Sequence, residues 1–303
     1  MKGFTAKDVP DQSGRCFMVT GANTGLGFEA SKVLAQKGAR VLLACRSEAK
    51  AKDAMERIRS EAPQADIAFV PLDQADLDSV REAAEIAKRE PRLDVLLNNA
   101  GVMFPPLERT KQGFELQWGV NHLAPFALTG LLLDKLSAGN KPRVVVTSSL
   151  AHRGGNIDWD DLNAHAGYNR TQRYSDSKLA NLLYVFELDR RLRAAGSPII
   201  ATACHPGFAK TELDRHTGPF RFLFPLAGWI FNSAAQGAWP TLQAASGENV
   251  EPGAFYGPQR MMQASGPSGL ASRTDASRDP ELAKRLWDVS VEMTGVDPGL
   301  AAG

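Results

Sequence analysis

The sequence predicts an α/β protein, a single doubly wound domain on a mostly parallel seven-stranded sheet. Three observations predict it. Short apolar, β-branched runs recur without polar alternation, as strands buried on both faces require. Stretches of helical periodicity separate those runs, so that successive strands can lie parallel. A glycine-rich turn, Thr20-Gly21-Ala22-Asn23-Thr24-Gly25-Leu26-Gly27, joins the first run to the first helical stretch.

In chain order, the first strand is read over Cys16 to Thr20 and its helix over Gly27 to Lys37, where Gly38 supplies a stop. A second strand, Arg40 to Cys45, leads to a helix over Ala49 to Glu61. The third, Ile67 to Leu72, leads to a helix over Asp76 to Arg89. The fourth, Val95 to Asn98, precedes a helix over Asn121 to Ser137, and the fifth, Arg143 to Ser148, precedes one over Tyr174 to Ala195. Gly196 ends that helix before the sixth strand, Ile199 to Cys204. A helix over Ala234 to Ala245 and a weaker seventh strand, Ala254 to Tyr256, complete the pattern. No repeat, low-complexity tract or linker divides residues 1–303, so one domain is expected. Two segments, about 151–173 and 211–232, break the rhythm after the fifth and sixth strands. Long excursions at the C-terminal ends of parallel strands are where α/β proteins build ligand sites.

Composition narrows the function classes. With 35 basic and 34 acidic residues the formal charge is +1, which gives no electrostatic reason to expect nucleic acid or an anionic membrane surface. Cys16, Cys45 and Cys204 fall in or beside apolar runs, without metal-ligand spacing and in an odd number, which fits a reducing, cytoplasmic setting. Residues 1–15 lack the apolar core of a signal peptide. Pro219 to Phe231 is 13 residues long and contains Arg221, so no transmembrane segment is expected. His122, His152, His165, His205 and His216 show no ligand spacing, so no metal is expected and all five read as structural or surface residues.

Two motifs carry chemistry. Gly25-Leu26-Gly27-Phe28-Glu29-Ala30 matches G-x-G-x-x-G/A between a strand and a helix. Side-chain-free positions there let backbone N–H groups approach a pyrophosphate, whose charge the helix N-terminus favours. The cofactor site is therefore read as Gly21, Asn23, Thr24, Gly25, Leu26 and Gly27. An NAD site would place an acid at the end of the second strand. Here the chain reads Ala44-Cys45-Arg46-Ser47, and the Arg46 guanidinium suits the 2′-phosphate of NADP(H), although a surface arginine opening a helix is the alternative. Asp73 could accept from the adenine amino group or cap the next helix. The second motif is Tyr174-Ser175-Asp176-Ser177-Lys178. Residues four apart share a helix face, so the Lys178 ammonium can favour the ionised form of the Tyr174 phenol and make it a proton donor and acceptor near neutral pH.

With these residues identified, the chain resembles the short-chain dehydrogenase/reductase family over essentially its whole length. The matches are Thr20 to Gly27, Asp73, the NNAG run Asn98 to Gly101, Asn121, Ser149, Tyr174, Lys178, Pro206-Gly207 and Thr211. Leu43 to Ser47, Ile157-Asp158-Trp159, Tyr174 to Asn181 and Arg285-Leu286-Trp287 resemble its retinol-dehydrogenase-like branch, which counts a WW-domain-bearing oxidoreductase among its relatives.

The resemblance implies a Rossmann-like fold and four catalytic residues. Tyr174 is the acid/base, and Lys178 lowers its pKa and holds the nicotinamide ribose. Ser149 binds the substrate oxygen, and Asn121 anchors a proton relay through Lys178. Asn98, Ala100 and Gly101 would line the adenosine side, and Pro206, Gly207 and Thr211 the nicotinamide end. Ser149 is favoured over Ser148 because neighbouring strand residues face opposite ways and the family's serine precedes the position of Leu150. Asn121 could instead N-cap a helix, and Pro206-Gly207 could be an ordinary turn.

The expected activity is NADP(H)-dependent hydride transfer between nicotinamide and the carbon of a small apolar alcohol, aldehyde or ketone. Pro219 to Phe231 is either an apolar cover over that substrate or a core or interface element. A homodimer or homotetramer is compatible with the chain. The alternatives are a catalytically quiet NADP-binding interaction protein and an epimerase or dehydratase acting on nucleotide sugars.

Overall fold

The computed structural model describes residues 3–208 and 232–302. The strands are β1 (Cys16–Thr20), β2 (Arg40–Cys45), β3 (Ile67–Pro71), β4 (Val95–Asn98), β5 (Arg143–Thr147), β6 (Ile200–Cys204), β7 (Phe255–Arg260) and β8 (Ser265–Leu270). They form one sheet in the order β3-β2-β1-β4-β5-β6-β7-β8. All neighbours are parallel except the β7–β8 hairpin. The order reverses between β1 and β4, which opens a crevice at the C-terminal ends of those strands, the place where doubly wound sheets bind ligands.

The sheet is buried on both faces because alternate strand residues feed two cores. Met18, Leu42 and Leu96 point to the layer of α3 (Leu77–Lys88), α5 (Ala124–Ser137), α6 (Arg170–Ala194) and α9 (Pro280–Thr294). Phe17, Leu43 and Leu97 point to the layer of α1 (Gly25–Gln36), α2 (Glu48–Glu61) and α8 (Trp239–Ser246). Each such Leu or Phe contributes about 1.5–3 kcal/mol of burial. This is why the runs read as continuously apolar rather than alternating.

The strand count is the first correction, since the described residues hold eight strands against the expected seven. Ser265-Gly266-Pro267-Ser268-Gly269-Leu270 has the composition of a turn, and only its antiparallel pairing with β7 makes it a strand. A proline is tolerated there because β8 is an edge strand. Phe4 covers that edge through a two-way backbone bridge to Ser268.

Two helices also differ from their expected spans. The helix expected from Asn121 begins earlier, where α4 (Leu116–Trp118) runs into a π-helical turn over Gly119–Leu123 that contains Asn121, and α5 follows. The stretch from Ala234 breaks at Ala238 into α7 (Ala234–Gly237) and α8, because Pro240 cannot donate to the preceding turn.

The 151–173 excursion opens with a short 3-10 turn, Leu150–Gly154, and docks on α6. Asn156 N–H donates to Asp176 Oδ1 at 2.8 Å, and Arg173 donates to the Asp161 carbonyl oxygen at 2.6 Å. Trp159 lies under the Arg285 guanidinium at 4.6 Å, so the Ile157-Asp158-Trp159 and Arg285-Leu286-Trp287 runs meet in space. The second excursion and its Pro219–Phe231 segment lie almost wholly outside the described residues. Its flanks meet, with Asn232 N–H donating to the Phe208 carbonyl oxygen at 2.9 Å. No helix among the described residues is long and apolar enough to cross a membrane.

Candidate active site

Two groups of candidate residues lie at the C-terminal ends of the strands, the side on which the crevice of a doubly wound sheet opens. The first is the turn from Gly21 to α1. Gly21, Asn23, Thr24 and Gly25 are half-buried on its rim, and Leu26 and Gly27 are buried in the first turn of α1. Gly27 is obligatory by close approach: a Cβ there would lie 2.4 Å from the Gly21 carbonyl oxygen and 2.6 Å from Asn99 Nδ2. The helix end is built to receive something. The side chains of Ser47, Asp76, Asn169 and Asp279 cap α2, α3, α6 and α9. Thr24 makes no such bond to α1, and no acid stands in its first turn. Its orphan N–H donors and positive dipole end therefore suit an anion.

Around this turn the expected contact residues divide. Ala100 lies against Gly21, its Cα 3.1 Å from where a Gly21 Cβ would be. Thr20 Oγ1 accepts from the N–H groups of Asn99 and Ala100 at 3.0 and 2.9 Å, which holds the NNAG run to the end of β1. Arg46 is exposed just past β2 and makes no hydrogen bond or ion pair with another described residue. Asp73 is half-buried, and its Oδ1 accepts from Ala75 N–H at 2.9 Å, a turn role ahead of the helix that Asp76 caps. Asn98 faces elsewhere. It is buried and its Nδ2 donates to Thr129 Oγ1 at 3.0 Å, fastening β4 to α5, so its side chain does not reach the turn.

The second group holds the acid/base candidates. Ser148 is buried and donates to the Lys178 carbonyl oxygen at 2.7 Å, which spends its hydroxyl on anchoring α6. Ser149 is half-buried and starts the 3-10 turn, its Oγ accepting from Ala151 N–H at 3.2 Å. Lys178 is 4% exposed, and Nζ donates to the Thr147 carbonyl oxygen at the end of β5 at 3.2 Å. Burial pulls its pKa down to about 8. The ammonium lies 5.5 Å from the centre of the buried Tyr174 ring. A Cβ on Gly101 would sit 3.0 Å from Asn121 Oδ1 and 3.5 Å from Lys178 Nζ, so Gly101, Asn121 and Lys178 close on one point.

Asn121 is not a helix cap. From the π turn its Oδ1 accepts from Val102 N–H at 2.8 Å, and its Nδ2 donates to the Val102 carbonyl oxygen and Ser177 Oγ, both at 3.0 Å. A π turn inserts an extra residue into the helical ladder and re-aims a side chain, a device frequent at functional sites.

Pro206 and Gly207 follow β6 at the same edge. The Pro206 carbonyl oxygen accepts from Asn232 Nδ2 at 3.2 Å, and Gly207, at φ 69°, lets the chain pass a β8-flanking residue whose carbonyl oxygen, that of Ala264, would lie 2.3 Å from any Cβ. Thr211 lies outside the described residues.

Residues 15–221 match the short chain dehydrogenases. Human (Homo sapiens) retinol dehydrogenase 13 is 42% identical over 292 residues, covering 94% of this chain and 86% of its own. Mouse (Mus musculus) retinol dehydrogenase 12 is 39% identical over 286 residues, with 93% and 87% covered. The crystal structure of an uncharacterized protein from Mycobacterium paratuberculosis superposes with a TM-score of 0.83 at 38% identity, covering 99% of this chain and all of that one.

The chain belongs to the short-chain dehydrogenase/reductase family, in its retinol-dehydrogenase-like branch. Several residues at this oxidoreductase's site carry no sequence signal of their own. Asn181 Nδ2 joins Lys178 on the Thr147 carbonyl oxygen at 3.1 Å. His152 is buried, and its Nδ1–H donates to the Ser149 carbonyl oxygen at 2.6 Å, with the ring edge-on to Phe255. Phe104 packs its ring edge-on to Tyr174 at 5.2 Å and 74°. Among the described residues no cluster of His, Cys, Asp or Glu could hold a metal.

Proposed function

We propose that this short-chain dehydrogenase/reductase is an NADP(H)-dependent enzyme that interconverts an apolar alcohol and its aldehyde or ketone. The observation that carries the reading is the closure of Gly101, Asn121 and Lys178 on one point beside Tyr174, together with the uncapped N-terminus of α1.

When bound, the nicotinamide supplies hydride in reduction and accepts it in oxidation. Tyr174 gives its proton to the substrate oxygen in reduction and takes it back in oxidation. Ser149 Oγ binds the same oxygen, so the charge that develops there meets two donors. Lys178, still largely cationic at pH 7 with a pKa of about 8, favours the ionised phenol and offers its ammonium to the ribose. Asn121 holds Val102 on both of its backbone groups and so fixes the loop beneath Lys178.

Arg46, without a partner among the described residues, is free for the 2′-phosphate, which an acid at Cys45 or Arg46 would repel. Gly21, Asn23 to Gly27, Ala100 and Gly101 supply the rest of the cofactor cradle, with Pro206, Gly207 and Thr211 at the nicotinamide end. The names of the relatives point to an apolar alcohol, and five aromatics within Pro219 to Phe231 support an apolar substrate space.

A panel of apolar aldehydes, ketones and alcohols, followed at the nicotinamide absorbance band with NADP(H) and NAD(H), tests the reading. Turnover is expected with NADP(H), and Tyr174→Phe should lower it by about 100-fold or more while cofactor still binds. No turnover across the panel, or near-native turnover by the variant, overturns it.

A further inference from the structure

Beyond the end of β4 the backbone turns left-handed at Phe104, with φ 57°. A bulky aromatic residue takes that conformation at an energetic cost and persists in it only where its surroundings impose it. Gln117, fully buried, does so. Its Oε1 accepts from Phe104 N–H at 3.1 Å, and its Nε2 donates to Tyr168 Oη at 3.1 Å and to the Arg170 carbonyl oxygen at 2.9 Å. Tyr168 Oη in turn donates to the Pro105 carbonyl oxygen at 2.9 Å. The chain is thus tied at Phe104 by Gln117 of α4 and just after it by Tyr168, in the segment that leads into α6. What this tether secures is the ring, which stays half-buried while lying edge-on to Tyr174. A ring that served only to fill the core would need neither the left-handed backbone nor the remaining exposure.

We propose that Phe104 contacts substrate and determines specificity: it is a fixed aromatic wall beside the acid/base tyrosine that selects a flat, conjugated or aromatic group next to the reacting carbon. Aromatic faces and edges favour flat π groups over saturated ones of equal size. The inference rests on the oxidoreductase reading above and names its substrate class more narrowly.

The test compares benzaldehyde with cyclohexanecarbaldehyde on wild type, Phe104→Leu, Phe104→Ala and Phe104→Gly, using NADPH. In all three variants the ratio of kcat/KM for the aromatic over the saturated aldehyde should fall, by about tenfold in the alanine and glycine variants, carried mainly by KM. Glycine adopts φ 57° freely, so Phe104→Gly should melt at or above Phe104→Ala, which separates relief of strain from loss of the ring. An unchanged ratio in all three folded, NADPH-binding variants overturns the proposal even if wild type is active.

If wild type turns over neither aldehyde, the oxidoreductase reading fails on its own. Calorimetric binding of benzyl alcohol and cyclohexylmethanol to the NADP-loaded protein then decides the Phe104 proposal. Preference for the aromatic alcohol lost on Phe104→Ala sustains it, and equal affinities before and after the substitution reject it.

Discussion

Lys178 should weaken the fold that it serves. Burial lowers its pKa from 10.5 to about 8, and at about 1.4 kcal/mol per pH unit that gap amounts to about 3 kcal/mol against the folded state at neutral pH. Lys178→Met removes the charge and keeps an unbranched chain of similar length. It also deletes the bond to the Thr147 carbonyl oxygen, worth about 1 kcal/mol, but that oxygen keeps Asn181 Nδ2 at 3.1 Å and is not left unpaired. The cofactor-free variant should therefore be inactive yet more stable than wild type at pH 7, by about 1–2 kcal/mol, or a few degrees in Tm for a chain of this size.

The pH dependence is specific. As pH falls through 10.5 the unfolded chain takes up a proton that the folded protein does not accept until about pH 8, so wild-type stability drops across that interval and is level below it. The advantage of the variant should accordingly be full at pH 7 and vanish or reverse by pH 10.5. Urea unfolding of both proteins at the two pH values measures it. A variant less stable than wild type at pH 7, or an advantage equal at both values, would refute the reasoning.

Replacing Arg46 by Asp should shift the NADP(H)/NAD(H) ratio of kcat/KM by about tenfold or more, from loss of a charge-assisted phosphate contact of about 1.5–3 kcal/mol; equal wild-type efficiency with both cofactors counts against the assignment. The two serines should separate cleanly. Ser148→Ala loses its bond to the Lys178 carbonyl oxygen and should cost about 1 kcal/mol of stability with activity largely kept, whereas Ser149→Ala, which loses the cap bond to Ala151 N–H at a cost of about 1 kcal/mol, should in addition lower turnover by about 100-fold. His122 and His205 are buried neutral, with pKa values driven down to about 3 by burial. Their stabilising effect is present above the unfolded value of 6.5 and is lost as pH falls toward 3, about 2 kcal/mol for each between pH 7.5 and 5. His205→Asn should remove about 2 kcal/mol of the stability lost between pH 7.5 and 5, and an unaltered slope would contradict this.

Much of the fold was legible in the chain because its causes are local. Continuous apolar runs at Val41 to Cys45 and Val144 to Val146 mark doubly buried strands, and Gly38 and Gly196 stop helices by their own backbone freedom. Tyr174 and Lys178 share a face by helical periodicity alone. Strand β8 was not legible, because a sequence with two glycines and a proline becomes a strand only through pairing with β7. The break at the π turn was likewise hidden within a stretch that reads as an ordinary helix.

The same division runs through the site. The sequence by itself determined which chemical groups the protein owns and which lie four residues apart: the glycines of the cofactor turn, the Tyr174–Lys178 pair, and an arginine where an NAD site would carry an acid. Tertiary structure decided what each group is free to do, since hydrogen bonds and desolvation depend on partners distant in the chain. Asn98 is spent on Thr129, and Ser148 on the helix that follows it, while the bond from Asn121 to Ser177 spans 56 residues. Lys178 loses part of its basicity only because the assembled sheet and helices exclude water from it. Phe104 is held left-handed by Gln117 and Tyr168, and no property of Phe104 or its immediate neighbours encodes that conformation.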